Sequence, residues 1–179
     1  MEDGDYPRPM LTADVVVFAG AAEAPHVLLI QRGNPPFAGS WTLPGGFVEE
    51  GEQVADAAPR ELVEETGLKL DVGVLELLGV YDTPGRDPRG WTVSVVYIAR
   101  VPAESAVAGA DDASDARWFA VEELPELAFD HALIVADARA FVAEPALAAE
   151  ALLSRWRRLR VVDPTAFRED VDRLLDASL

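Results

Sequence analysis

Three glutamates, Glu61, Glu64 and Glu65, are spaced so that a helix would place their side chains on one face. Carboxylates held close together repel one another, and without a cation some of them would have a raised pKa. Mg²⁺ relieves such repulsion, because it binds a few carboxylates and completes its coordination shell with water and phosphate oxygens. Taken alone, three glutamates on a helix also fit a solvent-exposed acidic face, so the spacing leaves both interpretations open.

The residues around these glutamates favour a metal-binding site over a solvent-exposed acidic face. Gly45 and Gly46 predict a turn, and glycine would let a backbone carbonyl approach a cation closely. Arg60 cannot bind a metal, and we expect it to pair with Glu52 and hold a carboxylate in place. A divalent ion at this position would polarise a phosphoryl group and lower the pKa of an attacking water.

The charge of the chain restricts its partners. The 179 residues include 15 Lys and Arg against 32 Asp and Glu, a formal net charge of −17. Such a chain repels nucleic-acid polymers and anionic membranes, although general solubility explains the acidity equally well. A phosphate-bearing substrate would need a local reversal of the field, which Mg²⁺ and a few arginines would supply.

Cysteine is absent, and the acidic N-terminus has no apolar core of the kind found in signal peptides. No stretch approaches the ~20 apolar residues of a membrane span. These features predict a cytoplasmic protein that does not bind membranes.

The order of predicted elements indicates a mixed sheet with helices on both faces, an α+β fold. Strands are predicted at residues 13–18, 26–31, 72–81, 91–101 and 116–119, helices at 53–66 and 129–142, and loops at 32–43, 82–90 and 108–114. Gly67 is suited to end the first helix. We expect one domain over residues 1–179, with a core at about 10–143 and a helical C-terminal extension at about 144–179.

Pro59 falls inside the first predicted helix. A mid-helix proline removes a hydrogen bond and clashes with the preceding turn, at a cost of about 3 kcal/mol. Either the helix begins late enough to place Pro59 near its first turn, or the helix is kinked there.

The segment from Gly46 to Leu68, GFVEEGEQVADAAPRELVEETGL, resembles the Nudix box at every fixed position. Those positions are Gly46, Glu52, Arg60, Glu61, Glu64, Glu65 and Gly67. The resemblance implies an α/β/α sandwich that hydrolyses a nucleoside diphosphate linked to another group, with Mg²⁺ or Mn²⁺.

By the same resemblance, the glutamates Glu61, Glu64 and Glu65 would bind the metal, joined by the carbonyl of Gly45. Glu52 and Arg60 would support the catalytic site. The general base would be one of the metal-face glutamates or a carboxylate from a later loop, for which we select Asp112, also as a metal ligand.

Residues outside the box resemble the ADP-ribose pyrophosphatase branch of the family. The similar stretches are Arg32 to Glu52, Tyr81 to Gly90 and Asp115 to Ala138, and Pro84 lies sixteen residues past Leu68, where that branch has a proline. The resemblance implies hydrolysis of ADP-ribose to AMP and ribose 5-phosphate.

Several residues are candidates for substrate contacts. Arg86 and Arg89 are expected to be cations on a mobile loop that clamp phosphate or ribose oxygens. The alternative is that Asp82 and Asp87 neutralise them. Arg32 would face the diphosphate. Phe37 or Trp41 would stack on adenine, although packing within the loop explains these two rings equally well. His131 more often caps or packs than acts as a base.

Two other functions remain open. One is hydrolysis of oxidised or unusual nucleoside triphosphates, and the other is non-catalytic nucleotide sensing. Against sensing stand the intact box and the acidic charge. The basic run Ser154 to Arg160 is expected to be a solvated helix face or a homodimer contact.

Overall fold

The computed structural model describes residues 7–143. They form seven strands and two α-helices: β1 (Met10–Ala19), β2 (His26–Arg32), β3 (Trp41–Thr42), β4 (Gly45–Phe47), α1 (Val54–Thr66), β5 (Glu76–Tyr81), β6 (Thr92–Val101), β7 (Ala113–Ala120) and α2 (His131–Ala143). The predicted C-terminal extension and the basic run from Ser154 lie outside the described residues. Within the described part, no helix has the length and hydrophobicity needed to cross a bilayer.

The strands form one mixed sheet in the order β3-β2-β1-β6-β5, with β4 paired to β1 and β7 paired to β2. Strand β1 runs parallel to β6 along its whole length and antiparallel to β2 and β4. Pairing with β2 involves only the end at Phe18 and Ala19, whereas β4 pairs with the other half of β1. This arrangement places Gly45 directly opposite Asp14.

Helix α1 packs on β1 through small and branched side chains. Ala57, Ala58 and Leu62 form one buried cluster with Val15 and Val17, which point to the same face of the strand. Glu65 is also buried on this side of the helix, whereas Glu61 is partly buried and Glu64 is exposed. The mixed sheet and its two helices confirm the predicted α+β class.

Pro59 is the sixth residue of α1, and the helix neither begins late nor stops there. The first turn forms without a side-chain cap, through the carbonyl of Gln53, which accepts from the amides of Asp56 and Ala57. The helix ends at Gly67 with φ of 71°, as predicted, because glycine adopts this left-handed conformation without strain.

Four local predictions were wrong. Gly45 and Gly46 belong to β4 rather than to a turn, and a two-residue strand interrupts the loop predicted at residues 32–43. Val72–Val74 forms a 3₁₀ turn, so β5 begins only at Glu76. The last helix begins at His131, because Phe129 has a φ of 56° that is incompatible with a right-handed helix.

Candidate active site

One cavity of about 360 Å³ lies where β4, the polar side of α1 and the loop before α2 meet. Its walls carry acidic residues from α1, and arginines from α1 itself, from the end of β2 and from the loop after β5. The predicted site residues that line it are Arg32, Gly45, Arg60, Glu61, Glu64, Glu65, Arg86, Arg89 and Asp112. Residues far apart in the sequence therefore share one space.

Four of the predicted site residues do not line this cavity. Phe37 makes an edge contact with Phe129, and Trp41 makes one with Phe119 and lies under the Arg117 guanidinium. Pro84 lies in the exposed loop after β5. Glu52 contacts Arg60, which itself lines the cavity. Stacking of Phe37 or Trp41 on a base stays a prediction.

Arg60 organises the acidic side of the cavity. Its Nε and Nη2 donate to the two carboxylate oxygens of Glu52, at 2.7 and 2.9 Å, as predicted. Its Nη1 donates to Glu61 at 2.9 Å and to Glu64 at 3.0 Å. Hydrogen bonds from Arg60 and from the amide of Glu49 lower the pKa of Glu52 to about 2, which keeps this carboxylate charged.

Strand β4 approaches α1 closely because it carries two glycines. The amide of Gly45 donates to Glu65 Oε2 at 2.8 Å, a contact that the sequence did not predict. A Cβ on Gly46 would lie 2.4–2.6 Å from the carboxylate atoms of Glu61. The glycine at this position therefore leaves the space that the Glu61 side chain occupies.

Burial disfavours the charged form of the acidic side chains in the cavity. Burial raises the pKa of Glu65 to about 8, and Glu61 and Asp14 contribute to the rise. Burial also raises the pKa of Glu61. Partly desolvated carboxylates that face one another are hard oxygen donors of the kind that a divalent cation binds, so the donor set fits the predicted metal.

The glutamates are nevertheless engaged by protein donors. Among residues 7–143, no three acidic or histidine side chains converge as a ready metal site. The reason is that Arg60 holds oxygens of Glu61 and Glu64, while the Gly45 amide holds Glu65. Metal binding would exchange some of these hydrogen bonds for metal–oxygen bonds, and the ligands Glu61, Glu64 and Glu65 stay a prediction.

The three substrate-side arginines differ in how they are neutralised. Arg86 forms a bidentate pair with Asp130, at 2.7 and 3.0 Å, and Arg89 pairs with the buried Asp87 at 2.7 Å. Asp87 was one of the expected partners, whereas Asp130 was not. Both side chains are therefore ion-paired, as the alternative interpretation of these loop arginines expected for Arg89.

Arg32 differs from the other two. Its Nε and Nη2 donate to the carbonyls of Pro36 and Asn34, and in the described part of the chain no carboxylate lies within ion-pair distance. Burial and the neighbouring Arg89 lower the pKa of Arg32, although a guanidinium stays charged at neutral pH. Arg32 is thus the cavity arginine best able to accept an anion.

Two residues that shape the cavity, Asp14 and Phe129, were not predicted, and a third, His131, was expected to cap or pack. Asp14 is a buried acid in the otherwise apolar ADVVVF strand, where it accepts a short hydrogen bond from Ser94. Phe129 lies beside two of the arginines. His131 accepts through Nδ1 from the amide of Leu43 and contacts the Thr42 hydroxyl. A charged residue within an apolar strand was the one available signal, for Asp14.

Asp112, the proposed later-loop carboxylate, lies at the rim of the cavity. Its Oδ1 accepts from Asn34 Nδ2 at 2.9 Å, and its carbonyl accepts from the amide of Gly33. These contacts tie the loop before β7 to the loop after β2, and they place Asp112 on the cavity wall. Its role as base or metal ligand stays a prediction.

The fold and the arrangement of this site define a class of protein. The NUDIX domain family matches residues 8–138, and the chain belongs to that family. It is therefore a Nudix hydrolase, an enzyme that acts on phosphoric anhydrides, as the box spacing predicted.

Individual proteins of the family are similar to this chain over most of the described residues. An ADP-ribose pyrophosphatase from Methanocaldococcus jannaschii is 52% identical over 132 residues, covering 74% of each chain. An ADPR-responsive transcriptional repressor from Acinetobacter baylyi is 36% identical over 134 residues, and the match covers 73% of this chain but only 53% of the repressor. The NUDIX domain of Shewanella oneidensis NrtR, solved with ADP ribose, superposes with a TM-score of 0.68 at 34% identity, covering 78% of this chain and 92% of that one.

Proposed function

We propose that this chain hydrolyses ADP-ribose to AMP and ribose 5-phosphate, with Mg²⁺ or Mn²⁺ as cofactor. The observation that carries the proposal is that the box glutamates share a cavity with Arg32, Arg86 and Arg89. The 52% identity to an ADP-ribose pyrophosphatase supports this choice among nucleoside diphosphate derivatives.

The chemistry divides between the two sides of the cavity. Water adds its oxygen to one phosphorus of the diphosphate, and the bond from that phosphorus to the bridging oxygen breaks. A carboxylate of the cavity, Glu64 or Asp112, takes the proton. Arg32 binds the diphosphate, while Arg86 and Arg89 add positive potential to the wall on which it rests.

Glu61, Glu64 and Glu65 would hold the divalent ion, with the Gly45 carbonyl and Asp112 as further ligands. When bound, the ion neutralises phosphate charge and acidifies water. Glu52 contributes indirectly, because its two hydrogen bonds orient Arg60 toward the glutamates.

A second candidate is nucleotide sensing without turnover, since the ADPR-responsive repressor is 36% identical to this chain. The complete set of acidic residues on α1 favours catalysis over sensing. A net charge of −17 also disfavours nucleic-acid binding by the chain itself.

A screen with Mg²⁺ tests the proposal. ADP-ribose, NADH, a sugar nucleotide, a dinucleoside polyphosphate, 8-oxo-dGTP and unmodified nucleoside triphosphates are each supplied at the same concentration, and products are separated by chromatography. We expect ADP-ribose to give AMP and ribose 5-phosphate at the highest kcat/KM, and EDTA to abolish turnover until Mg²⁺ is restored. A higher kcat/KM for a triphosphate would contradict the substrate, and ADP-ribose binding without turnover would favour sensing.

A cytoplasmic location and a homodimer remain predictions from the sequence. The cysteine-free composition supports the first. Sedimentation of the full chain at several concentrations tests the second.

A further inference from the structure

Phe129 lies among the charged groups of the cavity and has no place in the predicted site. Its ring centroid is 5.1 Å from the guanidinium carbon of Arg32 and 5.5 Å from that of Arg89. Arg89 lies also 4.9 Å from the ring of Phe47. The faces of aromatic rings carry negative electrostatic potential, so these contacts attract both guanidinium groups.

The backbone at Phe129 is unusual in the same region. Its φ of 56° lies in the left-handed conformation that bulky residues rarely adopt, and α2 begins two residues later. This conformation persists because the ring is held on several sides, by the edge contact with Phe37 and by the His131 ring 5.4 Å away.

The positive charges of Arg32 and Arg89 repel each other, and Asp87, which is paired with Arg89, offsets part of this repulsion. Arg89 lowers the pKa of Arg32, which has no carboxylate partner among the described residues. The hydrogen bonds of Arg32 to the Pro36 and Asn34 carbonyls leave further N–H donors for a ligand. A ring beside both cations offsets part of their repulsion without occupying those donors.

We propose that Phe129 is a positioning residue that holds Arg32 and Arg89 on the cavity wall, where Arg32 binds the diphosphate of the substrate and Arg89 adds positive potential beside it. The inference rests on the proposed function, because that function assigns the diphosphate to Arg32. The residue acts through the arginines and does not need to touch the substrate.

Three variants separate this role from simple packing. Phe129→Leu removes the aromatic face, and Phe129→Tyr retains it. Phe119→Leu is the matched control, since Phe119 is a half-buried ring in an edge contact with Trp41 that does not line the cavity. We expect Phe129→Leu to raise KM for ADP-ribose by about five- to thirtyfold with kcat little changed, and the other two variants to stay near wild type.

Calorimetry with inorganic pyrophosphate at fixed Mg²⁺ distinguishes the outcomes. We expect Phe129→Leu to raise the Kd for pyrophosphate by a factor similar to its effect on KM. A loss seen with ADP-ribose and not with pyrophosphate would overturn the proposal, because the ring would then act on the nucleoside. Equal losses in Phe129→Leu and Phe129→Tyr, or an unchanged Kd in Phe129→Leu, would also overturn it.

Two conditions keep the test independent. If thermal unfolding shows that Phe129→Leu does not fold, Phe129→Met takes its place, with the same expected result. If wild type does not hydrolyse ADP-ribose, the proposed function fails, whereas the pyrophosphate titration still tests the positioning role.

Discussion

The amide of Gly45 donates a hydrogen bond to Oε2 of Glu65 over 2.8 Å, which ties strand β4 to the face of α1. The glutamate is almost completely buried, and burial raises its pKa to about 8. One backbone donor thus supports a carboxyl group that is largely shielded from solvent. The next residue, Gly46, extends the same close approach to Glu61.

The close approach at Gly46 gives the first prediction. In Gly46→Ala the new Cβ meets the Glu61 carboxylate at 2.4–2.6 Å, so the carboxylate must move. A displacement of about 1 Å at a reacting centre lowers activity by roughly 100-fold, and we expect kcat/KM to fall by about that factor. Steady-state kinetics measures the loss.

Gly73→Ala is the matched control for Gly46→Ala. A Cβ at Gly73 meets no atom within 4 Å, and its φ is not in the left-handed region. We expect wild-type kinetics and thermal stability from this variant. Near-normal kcat/KM in Gly46→Ala would show that the position of Glu61 does not matter for activity.

The pairing of Glu52 with Arg60 gives the second prediction. Glu52→Gln removes the charge that anchors Arg60, and it weakens the bond from the Glu49 amide. Changes in groups that orient metal ligands cost roughly 10- to 100-fold in activity, and we expect kcat to fall in that range while the fold is retained. Glu50→Gln, at an exposed neighbouring position, should leave kcat unchanged. Equal kcat in the two variants would show that the anchoring of Arg60 by Glu52 does not contribute to activity.

His131 gives a prediction about stability and pH. Burial lowers the pKa of His131 in the folded state, so the unfolded chain binds the proton more readily. Its contribution to stability is therefore complete above about pH 6.5, the ordinary value, and is lost as pH falls from there toward the folded pKa. The charged groups that act on it are Asp14, Asp130, Arg86 and Arg32.

The variant His131→Gln tests the direction of this pH dependence of stability. Above pH 7 we expect it to unfold with about 1–3 kcal/mol less free energy than wild type, because the Leu43 amide loses its buried acceptor. The difference should shrink as pH falls below 6.5, measured by urea unfolding at each pH. His26→Gln, which removes a partly exposed histidine outside the cavity, serves as control. A difference that is constant across pH would argue that His131 does not titrate on unfolding.

The sequence predicted the parts of this protein that depend on local pattern. Apolar runs located β1 and β2 because their side chains are buried, and Gly67 marked the end of α1. The box spacing identified the face of α1 that carries Glu61 and Glu64. The pair between Arg60 and Glu52 was also predictable, because it requires only that α1 and the loop before it be adjacent.

What the sequence did not predict depends on contacts between distant segments. Gly45 and Gly46 read as a turn because a three-residue strand has no periodicity of its own, and only pairing with β1 makes it one. The partner of Arg86 is Asp130, 44 residues later, although Asp82 and Asp87 are nearer in sequence. Phe129 lies beside Arg32 for the same reason, through tertiary packing alone.

The catalytic role of the α1 glutamates is tested by kcat for ADP-ribose in Glu64→Gln at saturating Mg²⁺. Glutamine preserves the volume and an oxygen acceptor for Arg60 Nη1, which now lies 3.0 Å from Glu64, so the change removes mainly charge. If Glu64 belongs to the metal-binding, water-activating face, kcat falls by several orders of magnitude while thermal unfolding stays near wild type. Turnover close to that of wild type would contradict the assignment of the α1 glutamates as the catalytic centre.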